Sequence, residues 1–455
     1  MFFQLNYPGS QSRREKIEET YSLYLLYTPI FSLPVLHEFH TPAIYPTLSW
    51  KMDFAGERYY KLNRILLLSL GLWPYQISTF KKVQIIFFQT LSISFLICQC
   101  ILLFVKQYSI DGITKVLMMI ILSSISILNY NTGLILSDKI KYIFDSVRYD
   151  WNMLKTQAEL EVVQKYANNA KFYTTFLTLM STFFSLGILL LLGLPRILDV
   201  IIPMNESRPQ QTLVDMEYLG DKETYFFATL THICLNFFAG MMTMMAIATT
   251  LIINVLHICA LFRIASYRME HIFDKNAQPI AKDIKQSVVY NNIINAVYVH
   301  RRALDLANIW TNSFSTMYVV LLVLVVPAMS LSFFNFINAV RSLEIVELIV
   351  CGCLLFVQLY LILLENYIGQ DIIDSSTGIC EATYNAQWYA APLCMQKLMI
   401  LIIQRSNRRS ILLVGGLFGA SLQGFSSLMS MSISYLMVLQ SVGLYKEDGK
   451  SNSYV

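Results

Sequence analysis

Charge is scarce in this chain: Asp, Glu, Lys and Arg make up 14% of 455 residues, whereas 55% are hydrophobic. That balance excludes a soluble domain of ordinary composition and leaves an integral membrane protein built from helices. Metal-ligand spacing is missing as well. The six histidines (His37, His40, His232, His257, His271 and His300) form no ligand pattern, and no phosphate-cradling glycine loop occurs. An enzyme reading therefore has little support, and neither a cofactor nor a metal is implied. The eight cysteines lie inside apolar runs or on the side read below as cytoplasmic, so no disulfide-stapled ectodomain is expected. Cys98/Cys100 and Cys351/Cys353 read as small hydrophobes rather than ligands. The basic residues form no dense block, which argues against a nucleic-acid partner.

What is present is a set of seven apolar runs, at 82–105, 113–136, 173–202, 225–260, 312–340, 345–366 and 412–442. Each is long enough for a bilayer core that needs about 20 apolar residues. Of the 34 Lys and Arg residues, 26 fall in the N-terminal segment and every second connection after it, and 8 in the alternate ones. Cytoplasmic loops collect positive charge, so the N-terminus is expected inside and the C-terminus outside. A G-protein-coupled receptor has the opposite orientation, and no Asp-Arg-Tyr triplet follows the third run.

The expected fold is an all-α membrane protein of seven transmembrane helices with a cytoplasmic helical layer extending spans four to seven. Polar stretches of helical periodicity at 137–171 and 261–311 suggest that layer. The organisation reads as an N-terminal extension at 1–51 and a cytoplasmic segment at 52–81. Helices one to six and a ligand pocket follow at 82–366, then a cytoplasmic helical anchor at 367–411. A pore-lining seventh helix at 412–445 leads to an extracellular tail at 446–455. Residues 21–36 are apolar but short and broken by Pro29 and Pro34, which suits an interfacial segment better than a span. Gly415, Gly416 and Gly419 open the last run, as close helix packing or as a hinge.

The third run has no ionisable side chain between Phe172 and Leu194, and most other spans are uncharged at their centres. Pumps and proton-coupled transporters place such groups there, so a transporter is disfavoured. The spans instead offer aromatic and thioether surface: Met118, Met119, Phe183, Phe184, Phe226, Phe227 and Tyr360, with Thr231, His232 and Gln358 as polar groups for orientation. Such residues build pockets for small hydrophobic ligands, and each taken singly also suits helix packing. The outer half of the bundle is the expected place, with Met119, Phe184, Phe227 and Tyr360 as leading wall candidates.

Met52-Asp53-Phe54, Tyr59 to Arg64 and Gly71-Leu72-Trp73-Pro74 resemble the start of insect odorant receptors. Gln370 to Ser376, Tyr384-Asn385, Trp388-Tyr389, Gln396-Lys397, Gly416, Phe418, Ser421-Leu422, Phe425 and Ser434-Tyr435 resemble that family's last two helices. The resemblance runs over about 52–445 in order and spacing, and residues 1–51 lie ahead of it. It implies the odorant-tuning subunit of a ligand-gated, non-selective cation channel, assembled with a co-receptor into a heterotetramer in the plasma membrane of olfactory sensory neuron dendrites. Its ligand would be a small volatile hydrophobic molecule, with membrane lipid around it and monovalent and divalent cations in transit. A gustatory receptor channel of the same architecture is the nearest alternative, but its usual Gln six residues after the tyrosine is Ser441 here.

On a regular helix Met431, Ser434, Tyr435, Val438, Ser441 and Val442 fall within an arc of about 120°, with Gln440 roughly opposite Val438. The stripe suits a pore lining or a helix-packing face. By resemblance, Val438 is the hydrophobic constriction.

Asn205-Glu206-Ser207 is a glycosylation acceptor pattern in the connection at 203–224, placed outside by charge. Asn205→Gln is expected to abolish any endoglycosidase-sensitive mobility shift, and a C-terminal epitope should be stained on unpermeabilised cells. Staining only after permeabilisation would overturn the orientation.

Overall fold

The computed structural model describes residues 56–105, 110–154, 156–201, 226–273, 282–416 and 418–451. The extension at 1–51, Asn205 and the end of the tail at 452–455 lie outside the described residues. Among the described residues ten α-helices run in chain order: α1 Glu57–Ser69, α2 Thr79–Val105, α3 Ile110–Ile135, α4 Ser137–Met153, α5 Gln157–Ile201, α6 Phe226–Glu270, α7 Lys282–Ser342, α8 Ile345–Asn385, α9 Leu393–Ser406 and α10 Leu422–Ser451. A two-stranded antiparallel pair, β1 Leu413–Val414 and β2 Phe418–Gly419, precedes α10. The described parts of α2, α3, α6, α7, α8 and α10 are each long and apolar enough to cross a membrane. The remaining apolar run, 173–202, lies along α5.

The chain divides into two compact units. The smaller holds 259–304 and 373–410: the C-terminal ends of α6 and α8, the N-terminal end of α7, and α9. Its core is apolar, with Phe262, Ile264, Met269, Ile293, Ile379, Met399 and Ile402 buried. Arg268 donates to the Asn295 carbonyl at 3.0 Å, and the Ser410 amide donates to the Ser376 hydroxyl at 3.1 Å. Of the two polar stretches expected to form a helical layer, most of 261–311 falls in this unit and 137–171 in the larger one; α6, α7 and α8 each run well past the length a bilayer needs.

The larger unit holds 54–258, 305–372 and 411–455. Its N-terminal part is an aromatic knot. Tyr59 stacks on Trp151 at 5.7 Å, the Trp151 indole N–H donates to the Tyr60 hydroxyl at 3.3 Å, and Trp73 packs on Phe144 at 5.5 Å. Helix α1 ends in a left-handed glycine, Gly71 at φ +71°. The Leu72 amide returns to the Leu67 carbonyl at 2.8 Å and the Gly71 amide to Leu68 at 3.2 Å, the paired bonds of a Schellman cap. Gln84 then donates to the Leu68 and Ser69 carbonyls, satisfying acceptors the helix end leaves open. The Gly71-Leu72-Trp73-Pro74 string is therefore a stop signal and a core contact together. Burial and the Asp145 carboxylate push the Tyr75 hydroxyl far above its ordinary value, so it remains a donor, to Asp145 at 2.6 Å.

Polar side chains inside this unit are paired across helices. Asn63 donates to the Thr249 and Thr250 hydroxyls at 2.9 and 3.0 Å, tying α1 to α6. Asp150 of α4 meets His257 of α6 at 3.0 Å, both almost wholly buried.

The last span differs from the sequence expectation. The strand pair occupies 413–419, where a membrane run beginning at 412 is expected, and α10 starts ten residues later. Gly415 and Gly416 are not helix-packing residues. They take φ +58° and +72° in the turn between the strands, a conformation glycine adopts without a Cβ penalty. Helix α10 also continues into the stretch read as a tail, through Ser451.

Gly369 of α8 lies close against Ala420, just after this hairpin. A Cβ there would stand 2.5 Å from the Ala420 backbone oxygen, which cannot yield as a flexible side chain would. Gly369→Ala is expected to lower stability by about 1–3 kcal/mol, the usual cost of overpacking. Thermal unfolding in detergent checks this, and an unchanged midpoint would show that the hairpin is free to shift.

Candidate functional site

An apolar cluster forms where α3, α7 and α8 meet, with Met118, Leu331, Val350 and Leu354 buried at its centre. Met119, Phe184, Phe237 and Leu439 are among the side chains packed on it, drawing in α5, α6 and α10. Phe184 and Phe237 lie 5.7 Å apart with tilted rings, a favourable aromatic arrangement. Aliphatic carbon dominates the surface, joined by two thioethers and two phenyl rings, so the contacts available to a small molecule here are dispersive and shape-dependent.

A short polar chain runs beside this cluster. The Thr114 hydroxyl donates to Asn335 Oδ1 at 2.8 Å, and Asn335 Nδ2 and the Ser332 hydroxyl lie 3.5 and 3.4 Å from Met118 Sδ. Ser332 is also 3.0 Å from Gln358 Oε1. Two further contacts occur near the ends of the same helices. Asn338 donates to Asp111 at 2.8 Å, and Lys115 pairs with Glu347. The arrangement offers an apolar wall with hydroxyl and amide groups at one edge.

Of the residues expected to bind ligand, Met118, Met119 and Phe184 come together in the cluster, and Gln358 joins through Ser332. The others do not converge on it. Phe183 is 71% exposed, since a helix turns its neighbour by about 100°. Tyr360 packs instead with Phe176 at 5.3 Å and Phe356 at 6.3 Å. His232 sits against α2, 3.0 Å from the Ser94 hydroxyl and 5.9 Å from the Phe95 ring, while Thr231 is exposed. The side chains of Phe226 and Phe227 lie outside the described residues.

Sequence reasoning missed the contribution of α7. Ser332 and Asn335, three residues apart in an otherwise apolar run, put two polar groups on one helix face. That stripe was the available signal. Asp150 and His257 were missed because nothing in their sequence surroundings marks them as partners.

On α10 the expected pore stripe is uncovered: Met431, Ser434, Tyr435, Val438 and Ser441 are all exposed, and the side chain of Val442 lies outside the described residues. Leu428, Ser432 and Leu436 turn the other face inward. Gln440 is half-buried. The stripe is therefore not a packing face within this chain. All eight cysteines are free, and no group of three or more metal-ligating side chains occurs among the described residues.

Residues 109–433 match the family model described as 7tm Odorant receptor. Odorant receptor Or2 of Anopheles gambiae is 29% identical over 101 residues, spanning 22% of this chain and 27% of that receptor. The matched segment is thus well under two thirds of that relative's length. The fold is similar to that of the insect olfactory receptor OR5 from Machilis hrabei in complex with eugenol, with TM-score 0.68 and 16% identity over 85% of this chain and 98% of that one. A second structure of the same receptor gives a TM-score of 0.64 at the same identity and coverage. These likenesses establish the seven-helix fold.

Truncating a wall residue should reorder ligands, because one methylene of pocket contact is worth about 1–3 kcal/mol and differs between ligands. Met118→Ala and Phe184→Ala are expected to change the rank order of responses across a volatile panel. Exposed Phe183→Ala should leave the order intact. Dose–response curves at matched surface expression decide it, and unaltered ranking in both cluster variants would place the pocket elsewhere.

Proposed function

The chain belongs to the 7tm Odorant receptor family, and on that footing we propose that it is an odorant-tuning subunit of a ligand-gated, non-selective cation channel. Family membership makes it a multi-pass membrane receptor rather than an enzyme. The finer reading adds a co-receptor in a heterotetramer and the plasma membrane of olfactory neuron dendrites. It also includes an inside N-terminus and an outside C-terminus, the orientation supported by the distribution of Lys and Arg.

The observation that carries the channel reading is the uncovered face of α10. This helix is the least apolar of the six candidate spans, and its exposed stripe mixes the Ser434, Tyr435 and Ser441 hydroxyls with Met431 and Val438. A lipid-facing helix gains nothing from hydroxyls on its outer surface. A water-filled axis shared with other subunits uses them, with Val438 as a ring that closes by dewetting. The ligand would lie at the Met118 and Phe184 cluster, and a small aromatic volatile such as the eugenol bound by the Machilis receptor fits its aromatic and thioether surface. Leu439 of α10 packs on that cluster, giving occupancy a direct mechanical route to the pore helix.

The test is current recording with a volatile panel, with and without a co-receptor, under block of G-protein signalling. Odorant-evoked current that requires the co-receptor and survives the block is expected. Val438→Ser should raise leak or change ion preference. An outside thiol reagent should alter current through Ser441→Cys, while Gln440→Ala does little. Sensitivity confined to Gln440 would reject the assigned pore face.

A further inference from the structure

Two adjoining cavities, each of about 100 Å³, lie deeper along α7 and α8 than the Met118 cluster. They share Leu251, Tyr318, Leu321, Val325, Ile362 and Glu365. One continues between α3 and α6 to Gln358, the other toward Trp310 and the strand pair. Each measures well above the roughly 10–15 Å³ of such volume that holds one water, so a molecule of several heavy atoms has room.

The walls are hydrocarbon except at a few points, and those points are unusual. Glu365 is the one carboxylate of both linings, and neither lining contains Lys, Arg or His. An acidic side chain among hydrocarbon walls is costly to ionise without a compensating partner. Trp310, only 5% exposed, buries an indole N–H that has no hydrogen-bond partner among the described residues. Gln358 Nε2 is buried in the same condition at the other cavity. The Trp310 and Tyr318 rings stand 5.7 Å apart between them. A carboxylate with no cation and two donors with no acceptor among the described residues, together with a pair of aromatic faces, describe the complement of one kind of molecule.

We propose that the joined cavities bind a small aliphatic amine carrying an oxygen acceptor, its ammonium on Glu365 and its chain along Leu251, Leu321 and Ile362. The aromatic faces of Tyr318 and Trp310 flank the cation, as rings do around ammonium groups. The oxygen accepts from the buried indole or amide. The site is distinct from the cluster assigned above to volatile ligands, and its occupancy is read without any channel opening. Failure here therefore leaves the channel reading untouched, and failure of that reading leaves this one.

The experiment uses the full chain purified in lipid nanodiscs near neutral pH, with calorimetric titration of aminopentanol, pentylamine and pentanediol. Saturable binding of aminopentanol is expected, tighter than pentylamine and much tighter than the uncharged diol. Glu365→Gln should weaken both amines by about tenfold or more and leave the diol unchanged, as loss of a buried charge partner does. Equal amine affinity in the substituted chain, or a diol that binds as tightly as the amino alcohol, overturns the assignment. Val325→Phe keeps the carboxylate and fills the shared space, so it serves if the Gln variant does not fold. Amine binding that persists in Val325→Phe also overturns the proposal, and its loss supports it.

Discussion

An apolar surround leaves no water for a stranded hydrogen-bonding group, and that constraint shapes this molecule at every level. Backbone amides and carbonyls are satisfied within helices, and among the described residues strand is limited to two short pieces at 413–419. Hydroxyls inside the bundle turn back on their own helix: Ser124 to the Ile120 carbonyl, Thr174 to Ala170, Thr243 to Ala239. Longer polar side chains reach across helices instead, as in Thr114 with Asn335 or Asp150 with His257. The cross-helix bonds fix which helix faces which, while hydrocarbon packing sets how closely they approach.

The Asp150 and His257 pair illustrates how such contacts specify the fold rather than merely stabilise it. A polar pair this buried gains little over a hydrophobic replacement, but separating the two leaves a buried group unmatched. The pairing therefore penalises any register of α4 against α6 but one. Asn63, held against Thr249 and Thr250 a few turns along α6, imposes the same condition on α1. Registers fixed near the middle of α6 carry along the helix to Phe237 and the apolar cluster.

Much of this was legible in the sequence, and what was not has a physical cause. Long apolar runs announce helices because a bilayer demands length, and lysines and arginines announce loops because charge is expelled from it. That Met118, Met119 and Phe184 belong to one apolar cluster was legible in part, since residue type alone grouped them. Rotation was not: Phe183 and Phe184 are chemically identical, and only packing decides that one faces outward and the other inward. The role of α7 was hidden by its apolar composition, in which Ser332 and Asn335 are easily passed over. The glycines at 415 and 416 were misread because a tight turn and a helix contact both select for the absence of a side chain. Only backbone φ distinguishes them.

Helix α7 meets α10 through Ser330, whose hydroxyl lies 2.9 Å from both its own Val326 carbonyl and the Ser432 carbonyl of α10. Pro327 stands just before it and removes one rung of the α7 ladder, so this part of the helix is the more easily bent. The acceptor on α10 is backbone, which every residue type supplies. Drift at position 432 cannot delete this bond, whereas drift at position 330 can, and the two sides of the contact carry unequal evolutionary liability. A lineage can thus retune the surface of α10 while one serine on the neighbouring helix holds the hydrogen bond between them.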